Sequence, residues 1–193
     1  MRNSLDLRAA MRNTGNSAAH FPRGDFRMQN SLNNDLHQGK LSGRFHPDFP
    51  DDVEVIVHEG GPRCSDLKPE RMWVRVTGCE NDIFSGVVLN TPYQLRKVRQ
   101  GSVITFIVPD KGEYPLLVSS RYVQERPTWR LLTPCNGCGL SELFDPPSDL
   151  VAKAFPNVTP EELSRGITLT TFCGYCGGVL VVRIKRSVWP WPQ

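Results

Sequence analysis

Two stretches decide how this chain is read: Pro134-Cys135-Asn136-Gly137-Cys138-Gly139-Leu140 and Phe172-Cys173-Gly174-Tyr175-Cys176-Gly177-Gly178. Each holds two cysteines separated by two residues, and 34 residues lie between the pairs. A two-residue gap lets one tight turn aim both sulfurs at a single point, and a tetrahedral ion needs two such turns facing each other. A glycine follows each pair, Gly139 and Gly177, where a turn demanding positive φ would strain any other residue. The pattern predicts one structural Zn2+ held by Cys135, Cys138, Cys173 and Cys176. Four thiolates close the coordination shell and leave no place for a metal-bound water, so the ion is expected to fasten the chain rather than to activate a substrate.

Other uses of these cysteines fit less well. Paired disulfides need an oxidising compartment, and the start Met-Arg-Asn-Ser, with no apolar run behind it, gives no expectation of export. A redox Cys-x-x-Cys is expected where a strand meets a helix, which neither pair offers. An iron–sulfur centre takes the same four thiolates, and spacing alone does not separate it from zinc. The turns resemble zinc-ribbon knuckles, with an insert longer than the loop of a minimal ribbon.

Outward from the knuckles, Asp145-Pro146-Pro147-Ser148 reads as a turn opening a helix with apolar positions at Leu150, Val151, Ala154 and Phe155, stopped by Pro156-Asn157. Thr159-Pro160-Glu161-Glu162 carries the signature of a second helix start, and Gly166 a stop. Ile167 to Phe172 and Val179 to Ile184 read as strands flanking the second knuckle. The chain ends Trp189-Pro190-Trp191-Pro192-Gln193, whose prolines exclude a central strand.

Upstream the pattern is β. Val53 to Val57 is a strand whose apolar run is partly uninterrupted. Met72 to Thr77 alternates, with Met72, Val74 and Val76 on one face and Trp73, Arg75 and Thr77 on the other. Gly78 to Asp82 is expected to turn the chain into a strand from Ile83 to Leu89, with Ile83, Val87 and Leu89 sharing a face opposite Gly86. Val103 to Val108 is a third strand, and Ser119 to Glu125 a short helix ended by Pro127.

The fold class that follows is α+β, mainly β: a small bent sheet or barrel, then a zinc-ribbon-like block with a helical insert. Three parts are expected: a disordered basic arm over 1–50, a β domain over 51–130, and a four-cysteine zinc-binding block with its helical insert and Trp/Pro tail over 131–193. The run Arg71-Met72-Trp73-Val74-Arg75-Val76-Thr77, then Phe84-Ser85-Gly86-Val87-Val88-Leu89-Asn90-Thr91-Pro92, then Gly101-Ser102-Val103-Ile104-Thr105-Phe106 resembles the YegJ-like family of uncharacterised bacterial proteins. Val87 and Leu89 match that family's second motif loosely, and Ser102 stands where its last motif prefers Asp. The resemblance covers about 71–108. It implies a compact β fold and a bacterial origin. It carries over no catalytic residue or cofactor, because the family's own activity is unestablished, and a bacterial accessory or binding role is compatible with it.

The net charge of +3 is local. Residues 1–50 hold seven Arg and Lys against four Asp, whereas 51–134 have eleven of each sign and 135–193 five of each. Four thiolates on one Zn2+ would add −2 to the body, a poor electrostatic footprint for nucleic acid. No apolar stretch is long enough to span a membrane, and a cytoplasmic location is expected. No phosphate-binding glycine loop or His-Glu-x-x-His motif occurs, and Cys64 and Cys79 fall outside the ligand spacing. His58-Glu59-Gly60-Gly61-Pro62-Arg63-Cys64 holds a base and a thiol in a flexible loop, but sequence proximity does not make a catalytic pair.

The composition therefore points to a non-enzymatic module with a protein partner. Nucleic-acid binding and an enzyme of unrecognised class are the alternatives. Tyr93, Arg96, Lys97 and Arg99 form a basic-aromatic loop, and Trp129, Trp189 and Trp191 are further candidate contacts, Trp129 also serving as a structural anchor.

Overall fold

A computed structural model describes residues 39–157, 159 and 166–185. Among the described residues nine strands run β1 (Phe45–His46), β2 (Phe49–Val57), β3 (Glu70–Glu80), β4 (Ile83–Val88), β5 (Val103–Ile107), β6 (Leu116–Leu117), β7 (Trp129–Thr133), β8 (Ile167–Phe172) and β9 (Val179–Ile184). Helix α1 (Ser120–Glu125) continues through a 3-10 turn (Arg126–Thr128) into β7, and α2 (Pro147–Ala154) lies in the insert between the knuckles. The expected helix start at Thr159 to Glu162, the Trp189 and Trp191 tail and residues 1–38 of the expected arm lie outside the described residues, Thr159 itself excepted.

Strands β2 to β6 form a meander that closes on itself, because β6 pairs with β2 in parallel at Ile56 and Leu116. The ring is a small barrel. Alternation fills it: Val53, Val55 and Val57 from β2 and Met72, Val74 and Val76 from β3 point inward, together with Phe84, Val88, Ile104 and Phe106. The outward positions Trp73, Arg75 and Thr77 fall where their alternation predicts.

Three expectations change here. Residues 39–50 belong to the barrel, since Leu41 is fully buried in its core and Phe45 pairs with Val53. An isolated Leu and Phe have no period of their own, and the barrel supplies their burial. Strand β3 runs to Glu80, so the hairpin turn is Asn81-Asp82 alone, with φ of 51° and 63° at the two positions, the backbone of a tight two-residue turn. Cys79 is accordingly a strand residue, paired with Phe84. On β4 Ile83 and Val87 share a face opposite Gly86, as their spacing predicts, and it is the other face, Phe84, Gly86 and Val88, that is buried. A Cβ at Gly86 would sit 2.5 Å from Val74 Cγ1 and 2.6 Å from the Arg75 carbonyl, so glycine there is what lets β3 and β4 close together.

The second sheet has the order β7-β9-β8, all antiparallel. Trp129, Leu169, Val182 and Ile184 pack with Tyr122, Leu143, Leu150 and Val151 from the helices and the insert. Strand β7 crosses the expected boundary at 130/131, joining Trp129 to Ile184. A third apolar cluster joins the sheets: Ile56 and Leu116 of the barrel pack with Cys135, Leu140, Phe144, Cys173 and Leu180. This explains the uninterrupted run in β2. Ile56 points away from the barrel interior, yet it is 2% exposed because the cysteine block covers it.

Candidate metal centre

Both knuckles are built alike. Cys135 follows β7 and Cys173 follows β8, so two strands of one sheet deliver the first sulfur of each pair. In the first turn the Cys135 carbonyl accepts from Gly139 N–H at 2.9 Å, and Cys135 N–H donates to Leu140 O at 3.0 Å. In the second the Cys173 carbonyl accepts from Gly177 N–H at 2.9 Å, and Cys173 N–H donates to Gly178 O at 2.7 Å. Gly139 and Gly177 have φ of +75° and +74°, the left-handed conformation expected for both.

The four Sγ atoms lie within 4.8 Å of one another, a cluster able to hold a metal ion. Cys135 Sγ is 3.3 Å from Cys176 Sγ and Cys138 Sγ is 3.7 Å from Cys173 Sγ, so the closest pairs run across the knuckles. Cys135 and Cys173 are buried, while Cys138 and Cys176 stand at the surface. Gly178 closes the gap between the turns, since a Cβ there would meet Cys135 Sγ at 2.5 Å. Burial pushes the Cys135 thiol up, but the N–H groups of Cys138 and Gly137 and the neighbouring thiols outweigh it and bring the pKa down to about 7. Burial drives Cys173 the other way, far above the usual thiol range.

Side chains that no spacing rule singled out position the turns. Asn136 Oδ1 accepts from Val179 N–H at 2.8 Å and ties the first knuckle to β9. Phe144 packs on Gly174 of the second knuckle and on His58 of the barrel, with ring centroids 4.7 Å apart in the second case. Asp145 is buried, and its two carboxylate oxygens accept from Gly61 N–H at 2.8 and 2.9 Å. Glu142, also buried, accepts from the Tyr122 hydroxyl and from Arg126 at 3.0 Å. Buried carboxylates thus fasten the stretch after the first knuckle to α1 with its 3-10 turn and to the loop after β2. The only sequence signal was a pair of acidic residues among apolar ones, Glu142-Leu143-Phe144-Asp145.

The remaining candidates are scattered. Tyr93, Arg96, Lys97 and Arg99 are exposed on the loop between β4 and β5, whereas Trp129 is buried at 1% exposure and so stands as an anchor of the second core rather than as a surface contact. Glu70 accepts the N–H groups of Tyr93, Gln94 and Leu95, and Glu59 those of Arg96 and Lys97, so carboxylates hold the loop and offset its charge. His58 and Cys64 do not form a base–nucleophile pair. His58 Nε2 meets Leu117 O at 2.9 Å and its Nδ1 accepts from Gly60 N–H, which commits both ring nitrogens. Burial and the nearby Asp145 carboxylate push the Cys64 thiol up to about 11, the opposite of an activated nucleophile. Among the described residues no helix is long and apolar enough to cross a membrane.

No family model, curated protein or solved structure matches the chain. The YegJ-like resemblance over about 71–108 therefore rests on those residues alone.

Proposed function

We propose that this chain is a non-enzymatic protein-binding module whose second sheet is fastened by one structural zinc ion. Zinc bound to thiolates at about 2.3 Å in a tetrahedron sets its sulfurs about 3.8 Å apart. The observed closest approaches of 3.3 and 3.7 Å, within a cluster no wider than 4.8 Å, match that edge with small adjustment. Each ligand comes from a knuckle whose backbone already curls around the sulfurs, and all four positions are thiolate donors, the set of a closed structural site.

One observation carries the binding half of this reading. Tyr93 is 96% exposed, and the Glu70 carboxylate pins the backbone that presents it. A large aromatic ring on a pre-ordered loop loses little entropy when a partner covers it, which is the character of an interface anchor. The YegJ-like resemblance of the barrel strands is compatible with an accessory binding role.

Metal analysis of the purified full chain, combined with affinity capture by wild-type and Tyr93→Ala proteins, tests both halves. One zinc per chain is expected, together with a stoichiometric protein partner that Tyr93→Ala releases. A folded chain without metal would end the zinc reading. A partner held equally by the variant, or no partner from its native source, would end the role given to Tyr93.

A further inference from the structure

The second sheet presents a face that the protein-binding reading leaves unused. Its inner positions fill the core, so alternation turns Arg130 of β7, Thr168, Thr170 and Phe172 of β8, and Val181 and Arg183 of β9 outward. Arg130 and Arg183 are direct cross-strand neighbours, and Thr168 completes their rung. Like charges placed opposite each other weaken a sheet. The three strands, WRLLT, ITLTTF and VLVVRI, contain no acidic residue, and neither arginine has an ion-pair partner among the described residues. At the far end of the face, about 13 Å along β8, Arg63 sets its guanidinium over the Phe172 ring at 5.5 Å and donates to Thr170 O at 3.2 Å.

We infer that this face binds single-stranded nucleic acid, with phosphates on Arg130 and Arg183 and a base stacked against the Arg63–Phe172 pair. The chemistry selects this ligand in three steps. Two guanidinium forks on one rung match phosphate oxygens and remove the repulsion that the free sheet carries. Cationic groups at two places along the strands, with uncharged Thr170 and Val181 between them, call for a ligand whose charges repeat and whose intervening parts are flat and uncharged. A broad sheet face, unlike a helix or a two-stranded ribbon, does not enter a duplex groove, so the bases must be free to stack. The basic loop at Arg96 to Arg99 takes no part, because Glu59 and Glu70 hold it elsewhere on the barrel.

Fluorescence anisotropy with the metal-loaded full chain tests the assignment, using labelled oligo-dT, oligo-U, a matched duplex and a poly-glutamate peptide from low to physiological salt. Single strands should bind, with log K falling by about 0.7 per decade of salt for each phosphate neutralised. Arg130→Glu with Arg183→Glu should weaken binding by about tenfold or more. Phe172→Ala should weaken it with little change in the salt slope. Arg183→Thr guards against a folding artefact: it should raise the melting temperature of the free protein while lowering affinity, a pairing that loss of a merely structural arginine would not give. No single-strand binding at low salt, binding that survives the double reversal, or preference for the duplex or the acidic peptide would overturn the inference.

Discussion

The barrel and the cysteine block hold themselves together by different means. The barrel encloses a continuous apolar interior, Val53, Val55 and Val57 facing Phe84 and Phe106, and closes its own edge through β2 and β6. Among the described residues the block has three strands, one two-turn helix, and a stretch from Glu142 to Ser148 that is buried despite two carboxylates. Its apolar clusters borrow from outside, Tyr122 from α1 and Ile56 and Leu116 from the barrel. A sheet with so little interior of its own relies on cross-links, and the four cysteines are a cluster able to supply one through a metal ion.

With the zinc ion proposed above, the sharpest way to break the comparison is to remove the metal. Structural zinc supplies on the order of 10 kcal/mol to the domains that depend on it. Chelation, or Cys173→Ser, should therefore melt β8 and β9 while the barrel stays folded. Hydrogen exchange resolved by strand would show it: amides of β8 and β9 lose protection, and those of β3 and β4 keep it. If both sheets unfold together, the joint through Ile56 makes them one cooperative unit.

The reciprocal perturbation is Phe106→Ala. Phe106 is fully buried and stacks on Phe84 with centroids 5.5 Å apart. Truncating such a ring costs about 3–5 kcal/mol. Denaturant melts should show that loss in the barrel, while the metal content of the variant matches that of the wild-type chain.

How legible each region was in the sequence follows the same division. The barrel strands could be read because each repeats the inside-outside alternation along its own length, as Met72 to Thr77 does. The knuckles could be read because metal chemistry fixes the spacing of Cys135 and Cys138, and of Cys173 and Cys176. What stayed hidden was whatever depends on a distant partner. Trp129-Arg130-Leu131-Leu132-Thr133 gains its strand character from β9, some fifty residues on, and a register shift between Leu131 and Thr133 blurs its alternation. Asp145 is explained only by Gly61, 84 residues away. Leu41 looked like an isolated apolar residue of a polar arm until the barrel core was there to receive it.

Acid tests the joint between the regions. His58 ends β2 against Phe144, and burial lowers its pKa from 6.5 to about 4, against a smaller opposing effect of the Leu117 carbonyl. As pH falls below 6.5 the unfolded chain takes up a proton that the folded one refuses until about pH 4. The contribution is thus fully present above pH 6.5 and fades toward pH 4, amounting to about 3 kcal/mol. His58→Gln should flatten this part of the pH dependence. Thiolate protonation affects both proteins, so the difference between their unfolding free energies at each pH isolates the histidine. A constant difference from pH 4 to 7 would mean that His58 is not buried as a neutral ring.

The smallest effect separates two demands on glycine inside the block. Gly139 has φ of +75°, but an added Cβ would meet nothing within 4 Å, so Gly139→Ala should cost only the left-handed backbone penalty of about 1–2 kcal/mol. Gly178 has ordinary φ, but its Cβ would press on Cys135 Sγ at 2.5 Å and on Asn136 Oδ1 at 2.9 Å. Gly178→Ala should therefore displace a ligand as well as strain the turn. Zinc competition with a colorimetric chelator distinguishes them: Gly139→Ala lowers the melting temperature and keeps its metal affinity, whereas Gly178→Ala loses affinity. Equal loss from both would mean that knuckle backbone and sulfur cage act as one rigid unit, and that the block is cross-linked more tightly than its separate contacts imply.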